Sequence, residues 1–425
     1  ASYQLTPVTG YHWASGAGFR NDLFSSFGAT PSIPGSQIKP YSNFNGDEPA
    51  PVGQFRGINN FGAYDMAGNV REWCWNEYQT GRVVRGGSWD DAEYMYENWS
   101  QLPSFNRSPK NGFRCVKYLN KGKIPASIFG RIELPEQRDH EKVVPVSEDI
   151  FRVYKNQFLY DSIPLNVSIE YRDESPEDWI LEKVTFNAAY ENDRVIAYLY
   201  LPANTKPPYQ TLIFYPGIGA IWQKDLPNWF HINWFINYVV KNGRAVMFPV
   251  YNGTFERNKG LTEWKPSQSH QYTDWLTNWV KDFCRSVDYL ETRQDINIDK
   301  LGYYGHSWGA SMGGIIPAIE DRLKASILVT GGLWGNPYPE ADAINYLPRI
   351  NIPVLMLNGK YDVIFPFDRA AKPFFNLLGT PEKDKRLIVY ETDHGVHQNE
   401  MIKETLAFLD KYFGPVETKT IAEEQ

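Results

Sequence analysis

From about residue 164 the chain alternates short apolar runs with polar turns, which is the pattern of strands. Runs at 166–171, 182–186 and 195–200 predict three antiparallel strands. Runs at 211–214, 244–249, 301–304, 352–357 and 386–390 predict a parallel core behind them. Just upstream, Ser147 opens a capped helix in which Phe151, Tyr154 and Phe158 fall at i, i+3 and i+7. That apolar face should pack on the strand-rich part. The first 120 residues follow neither period. They are rich in Gly, Asn, Ser, Pro and aromatics and predict irregular structure, joined to the rest by a polar, turn-rich connector at 121–160. The pattern shows no tandem repeat, and the tail 417–425 is polar and charged.

Composition narrows this picture. A chain of 425 residues is long for one ordinary domain and suggests two. The net charge of −7 and the lack of a long basic run argue against nucleic acid and against an anionic membrane surface. No apolar run reaches membrane-helix length, so no membrane insertion is expected of this chain, and Ala1 does not open a signal peptide. Compartment and oligomeric state stay open. Three cysteines, Cys74, Cys115 and Cys284, do not make a disulfide framework. Pairing of Cys74 with Cys115 is one reading and free, buried thiols the preferred one.

The chemistry concentrates at Gly305-His306-Ser307-Trp308-Gly309, which follows an apolar run and precedes a helix start. A serine hydroxyl needs a fixed geometry and a base before it is a useful nucleophile. Small residues on both sides let the backbone turn sharply and lift Ser307 clear. Asp362 follows the run at 352–357 and His394 follows the run at 386–390. Serine, then aspartate, then histidine, each after a strand, predicts a triad in which His394 takes the proton and Asp362 holds the imidazole tautomer. Asp368 and Asp393 follow strands less cleanly. His397 reads as a helix-side neighbour and His306 as a packing and hydrogen-bonding residue.

With these residues in view, the part from about 164 to 415 resembles the dienelactone-hydrolase and acetyl-xylan-esterase branch of the α/β-hydrolases. The resemblance includes Tyr215-Pro216-Gly217-Ile218-Gly219 after the run at 211–214. It implies a three-layer α/β-hydrolase fold and an oxyanion hole made by the amides of Ile218 and Trp308. Dienelactone hydrolases use a cysteine at the elbow; Ser307 points instead to ordinary ester hydrolysis. The expected partner is a small-molecule ester, small or aryl, cleaved through an acyl-enzyme with no cofactor. A prolyl-oligopeptidase-like serine peptidase and a non-catalytic scaffold with a vestigial hydrolase fold are the alternatives.

Three strings near the start are specific: Phe61-Gly62-Ala63-Tyr64-Asp65-Met66-Ala67-Gly68-Asn69-Val70-Arg71-Glu72-Trp73, Arg85-Gly86-Gly87-Ser88-Trp89 and Asn111-Gly112-Phe113-Arg114-Cys115. Together they resemble the C-terminal half of the formylglycine-generating-enzyme (sulfatase-modifying factor) family. This implies an N-terminal irregular, low-secondary-structure domain, partial and non-catalytic, in a fragment of a longer bacterial protein. The expected division is 1–120 for this domain, 121–163 for a linker with a packed helix, 164–416 for the hydrolase and 417–425 for the tail. The family's oxidase chemistry needs a cysteine pair before the Gly-Phe-Arg string, and none lies between Trp89 and Gly112. The resemblance also implies a structural calcium held by Asp65, Glu72 and the backbone oxygens of Gly68 and Val70.

Aromatic residues make up 15% of the chain and include 14 tryptophans. Periodic aromatics often form cores, but insertions at strand ends cover the cleft in this fold. Trp222, Trp229 and Trp264 are therefore candidates for the substrate-binding wall, and the Trp308 side chain is expected to shape the site beside its amide.

Overall fold

The computed structural model describes residues 42–44, 46–55, 63–78, 80–91, 99–115, 117–118, 129–132, 138–224, 226, 229–261, 264–362, 364–392 and 394–418. Strands β1 (Arg71–Tyr78), β2 (Gly81–Arg85), β3 (Trp99–Leu102) and β4 (Asn111–Gly112) form one small sheet in the order β3-β2-β1-β4. The larger sheet is built from β5 (Ser168–Asp173), β6 (Trp179–Asn187), β7 (Arg194–Pro202), β8 (Tyr209–Tyr215), β9 (Ala245–Val250), β10 (Ile296–His306), β11 (Ala325–Val329), β12 (Val354–Gly359) and β13 (Lys385–Tyr390). Its order is β13-β12-β11-β10-β8-β9-β7-β6-β5. The pairs from β9 to β13 are parallel, and β5, β6, β7 and β9 pair antiparallel. The predicted strands pair as expected, but the central strand β11 is not among them, and periodicity does not convey the order of the sheet. β9 crosses back between β7 and β8, so only β5 of the antiparallel strands lies at the edge.

Alternation along the central strands separates two cores. On β8, Ile213 faces one cluster and Leu212 and Phe214 the other; on β10, Tyr303 and Tyr304 divide the same way. Successive side chains of a strand leave on opposite faces, so a sheet buried on both sides must be apolar at nearly every position. Helices complete the layers: α2 (His270–Glu291) gives Leu276, Trp279 and Phe283 to the first cluster, while α4 (Gln398–Phe413) gives Met401, Phe408 and Phe413 to the second. This is a three-layer α/β fold.

The helix predicted upstream is α1 (Glu148–Lys155), with Ser147 at its N-cap. Its apolar face docks as expected. Phe151 and Phe158 are buried and meet the ring of Tyr346 edge-on at 5.5 and 6.0 Å, while the Arg349 guanidinium lies 4.7 Å above Phe151. The preceding segment is tied down too, by Arg138 to Asp342 at 2.6 Å and by His140 Nδ1 to the Arg369 carbonyl at 2.8 Å.

Candidate active site

β10 ends at His306, and Ser307 follows with φ +53° and ψ −109°, a strained backbone for a side chain with a Cβ. Two glycines make the turn possible. A Cβ at Gly305 would stand 2.4 Å from the Gly309 carbonyl oxygen, and one at Gly309 would stand 2.1 Å from that of Tyr215. The turn is pinned by Ser307 N–H donating to the Val329 carbonyl (2.8 Å) and Gly309 N–H to that of Pro216 (3.0 Å). The helix that follows, α3 (Trp308–Met312), is a single short turn that stops at Gly313.

Three loops at the carboxyl edge of the sheet bring the predicted triad together. Ser307 Oγ lies 2.8 Å from His394 Nε2, and His394 Nδ1 lies 2.7 Å from Asp362 Oδ2. Asp362 Oδ1 accepts from the amides of Ile364 (2.8 Å) and Phe365 (2.9 Å), so the carboxylate is held at both oxygens. Its side chain is fully buried and that of His394 nearly so. The two loops are clipped to each other by Tyr361 N–H to the Thr392 carbonyl and Lys360 N–H to that of Tyr390. The groups therefore sit in place before any ligand arrives.

The Gly217–Ile218 turn abuts the elbow, since a Cβ on Gly217 would fall 3.4 Å from Ser307 Cβ. Ile218 begins a 3-10 turn and Trp308 begins α3. First-turn amides have no acceptor within their helix, and neither amide has a backbone acceptor among the described residues.

The Trp308 side chain departs from expectation. Its indole is buried in the first core, edge-on to Tyr215 (5.1 Å) and Trp279 (4.7 Å), and so braces the elbow from behind. The residue after the nucleophile opens a helix that packs down onto the sheet, which turns a large apolar side chain inward. Trp222 and Trp264 do come together, at 5.7 Å; the Trp229 side chain lies outside the described residues. Two further rings extend that wall, Trp334 at 5.7 Å from Trp264 and Phe365 at 5.9 Å from both Trp334 and His394. Each lies in an irregular loop, with no periodicity to flag it. For Phe365 the position just past the predicted run at 352–357 is the available signal; Trp334 follows β11, which the sequence reading does not include.

His397 caps α4, Asp368 lies in the turn Phe367–Ala371, and Asp393 lies outside the described residues. His306 is a packing residue, its ring 4.4 Å from Phe235 and 6.3 Å from His394, while its buried Nδ1 has no hydrogen-bond partner. Burial pushes its imidazole well below the usual histidine range, and His394 and His231 push the same way. Nearby, His231 is held down to about 3 by burial alone.

In the N-terminal region, the two carboxylates among the four groups expected to hold calcium meet other partners. Arg114 engages both carboxylate oxygens of Glu72, the closest at 2.7 Å, and the same guanidinium donates to the carbonyls of Tyr64 and Asp65. The Asp65 carboxylate accepts from the Gly53 amide at 2.7 Å. The Arg114 guanidinium thus sits between the Glu72 carboxylate and the Asp65 backbone. Among the described residues, no cluster of three or more His, Cys, Asp or Glu is placed to hold a metal. All three cysteines are free. Cys284 is buried as expected, Cys74 is half-buried with its thiol pushed up to about 11 by burial, and Cys115 is exposed. No helix among the described residues is long and apolar enough to cross a membrane.

Residues 10–119 match the family described as the sulfatase-modifying factor enzyme 1-like domain. Over 84 residues the chain is 36% identical to the chaperone protein LppX of Paenibacillus barcinonensis, covering 17% of this chain and 29% of that protein. Over 85 residues it is 48% identical to the inactive C-alpha-formylglycine-generating enzyme 2 of Mus musculus, covering 17% and 28%. The chain thus spans less than a third of the length of these curated relatives. Acetyl xylan esterase 1 from Thermoanaerobacterium sp. JW/SL YS485 is similar in fold, with a TM-score of 0.52 at 17% identity over 66% of this chain and 100% of that one. The chain joins a sulfatase-modifying-factor-like N-terminal region to an α/β-hydrolase fold.

Proposed function

We propose that residues 164–416 act as a serine carboxylic-ester hydrolase on small or aryl esters. The observation that carries this reading is the hydrogen-bonded line Ser307 Oγ, His394 Nε2, His394 Nδ1, Asp362 Oδ2, with contacts of 2.8 and 2.7 Å. His394 accepts the Ser307 proton as Oγ attacks the ester carbonyl carbon. The amides of Ile218 and Trp308 receive the negative charge that develops on the carbonyl oxygen. The tetrahedral species collapses, the C–O bond to the alcohol breaks, and His394 returns the proton to the departing oxygen. Water then attacks the acyl-serine with His394 again as base, freeing the acid and Ser307. Asp362 keeps the imidazole in the tautomer whose Nε2 is free to accept.

The reaction needs no metal or cofactor, and the N-terminal region contributes no residue to this line. Ser307→Ala is the direct test. It should lower kcat by a factor on the order of 10⁶ with the fold retained, as for other serine nucleophiles working with a histidine base. Retention of more than a few per cent of turnover would show that another group attacks.

A further inference from the structure

We propose that Trp334, together with Trp222, Trp264 and Phe365, forms a subsite for an aromatic ring carried on the alcohol side of the ester. The proposal rests on the serine-esterase reading above and narrows its substrate class. The four rings come from four separate loops, each following a different strand: Trp222 after β8, Trp264 after β9, Trp334 after β11 and Phe365 after β12. Their centroids stand 5.7, 5.7 and 5.9 Å apart in that order, and the last ring stands 5.9 Å from His394. These separations fall in the range of attractive aromatic pairs. Phe365 is buried, whereas the three tryptophans are half-buried and keep surface for a ligand.

The direction of this row decides which half of the ester it serves. His394 hands its proton to the departing alkoxide oxygen, so the alcohol group starts at the imidazole. The row of rings starts there as well. A small cavity bordered by Tyr272, Trp308, Ser311, Met312, Trp334 and Asp342 holds about 20 Å³. That is room for little more than one water, so a ring does not enter it and would lie along the row instead.

The class of ring follows from what lines the row. A sugar ring needs hydrogen-bonding partners around its hydroxyls. Among the described residues, the cation that meets these rings is the Lys265 ammonium, 4.8 Å above Trp264 and two rings away from Phe365. A benzyl or phenyl group needs no such partners and gains from edge-to-face contact with indole.

The test compares kcat/KM for benzyl acetate and ethyl acetate, which share an acyl group, in the full chain and in its Trp334→Ala and Trp334→Phe variants. The wild-type chain should prefer the benzyl ester. Trp334→Ala should lower the benzyl-to-ethyl ratio about three- to tenfold, and Trp334→Phe should keep most of it. No benzyl preference, or the same ratio in Trp334→Ala as in wild type, overturns the subsite. Where Trp334→Ala does not fold, Trp264→Ala gives the same readout. Fluorophosphonate labelling of Ser307 in the same samples separates the two failures. Labelled protein with an unchanged ratio sinks the subsite alone; unlabelled protein that cleaves neither ester sinks the esterase reading and the subsite with it.

Discussion

The large sheet and the small one are held together by different forces. Every residue of β9, β11 and β12 is buried, and these strands sit between two apolar cores. β1 buries two of its eight residues, Asn76 and Tyr78, and among the described residues its apolar cluster has Tyr78, Val83 and Ile132 at its centre. The region around it relies on polar contacts: Arg71 bidentate on Asp91, Asn69 exchanging hydrogen bonds with Ala50, and Arg114 on Glu72. Among the described residues, burial of apolar surface, at roughly 25 cal/mol per Å², dominates around the first sheet, whereas oriented polar groups stand beside it around the second. The strained Ser307 backbone persists because rigid, fully packed strands surround it.

The largest way to break this comparison is chemical. Ser307→Ala should remove turnover while hydrogen exchange in β8, β10 and β12 stays as slow as in the wild-type chain. Loss of exchange protection there would mean that Ser307 supports the fold.

The next effect lies where the upstream helix meets the large-sheet region. Phe151→Ala opens a cavity against Tyr346 and should cost about 3 kcal/mol in urea unfolding. A change below about 0.5 kcal/mol would show that α1 adds little to the apolar core.

Acid should act on the two regions unequally. His231 and His306 are held neutral by burial in the folded C-terminal region, whereas in the unfolded chain they protonate around the ordinary value of 6.5. Below that value the unfolded state binds more protons, so stability falls as pH drops, by up to about 1.4 kcal/mol per pH unit for each imidazole. For His231 the loss continues down toward its folded value of about 3. Above neutral pH both states are neutral there and the term vanishes. Urea midpoints at pH 7 and pH 5 measure the slope, and His231→Phe should flatten it. An unchanged slope would remove His231 from the account.

The smallest effect belongs to the polar region. Arg114→Ala breaks a partly exposed pair and should cost at most about 1 kcal/mol. It should speed hydrogen exchange in β1 and β4 and leave β10 and β12 untouched. Faster exchange in both sheets would mean that the two regions unfold as one unit.

The same contrast explains what could be read from the sequence. Buried parallel strands must be apolar at almost every position, so β8, β9, β10 and β12 announce themselves, and the loops after β10, β12 and β13 carry Ser307, Asp362 and His394. The placement of β9 between β7 and β8 leaves no trace in local periodicity, because it is a pairing choice between distant segments. Trp334 and Phe365 lie in separate irregular loops, and only the fold sets them beside Trp264 and His394. Trp308 reads as a site residue from its neighbour Ser307, but the helix it opens points the indole into the core. Glu72 and Asp65 read as oxygen donors for a metal; Arg114, some forty residues on, engages the Glu72 carboxylate and meets the backbone carbonyl of Asp65. Charge pairing across that distance is invisible to a linear reading.

The most direct test of the central claim is fluorophosphonate labelling followed by peptide mapping of the folded chain. Stoichiometric modification of Ser307, lost in Ser307→Ala and strongly slowed in His394→Ala, is the predicted result. A folded protein that remains unlabelled, or is labelled at another serine while ester turnover persists, would contradict it.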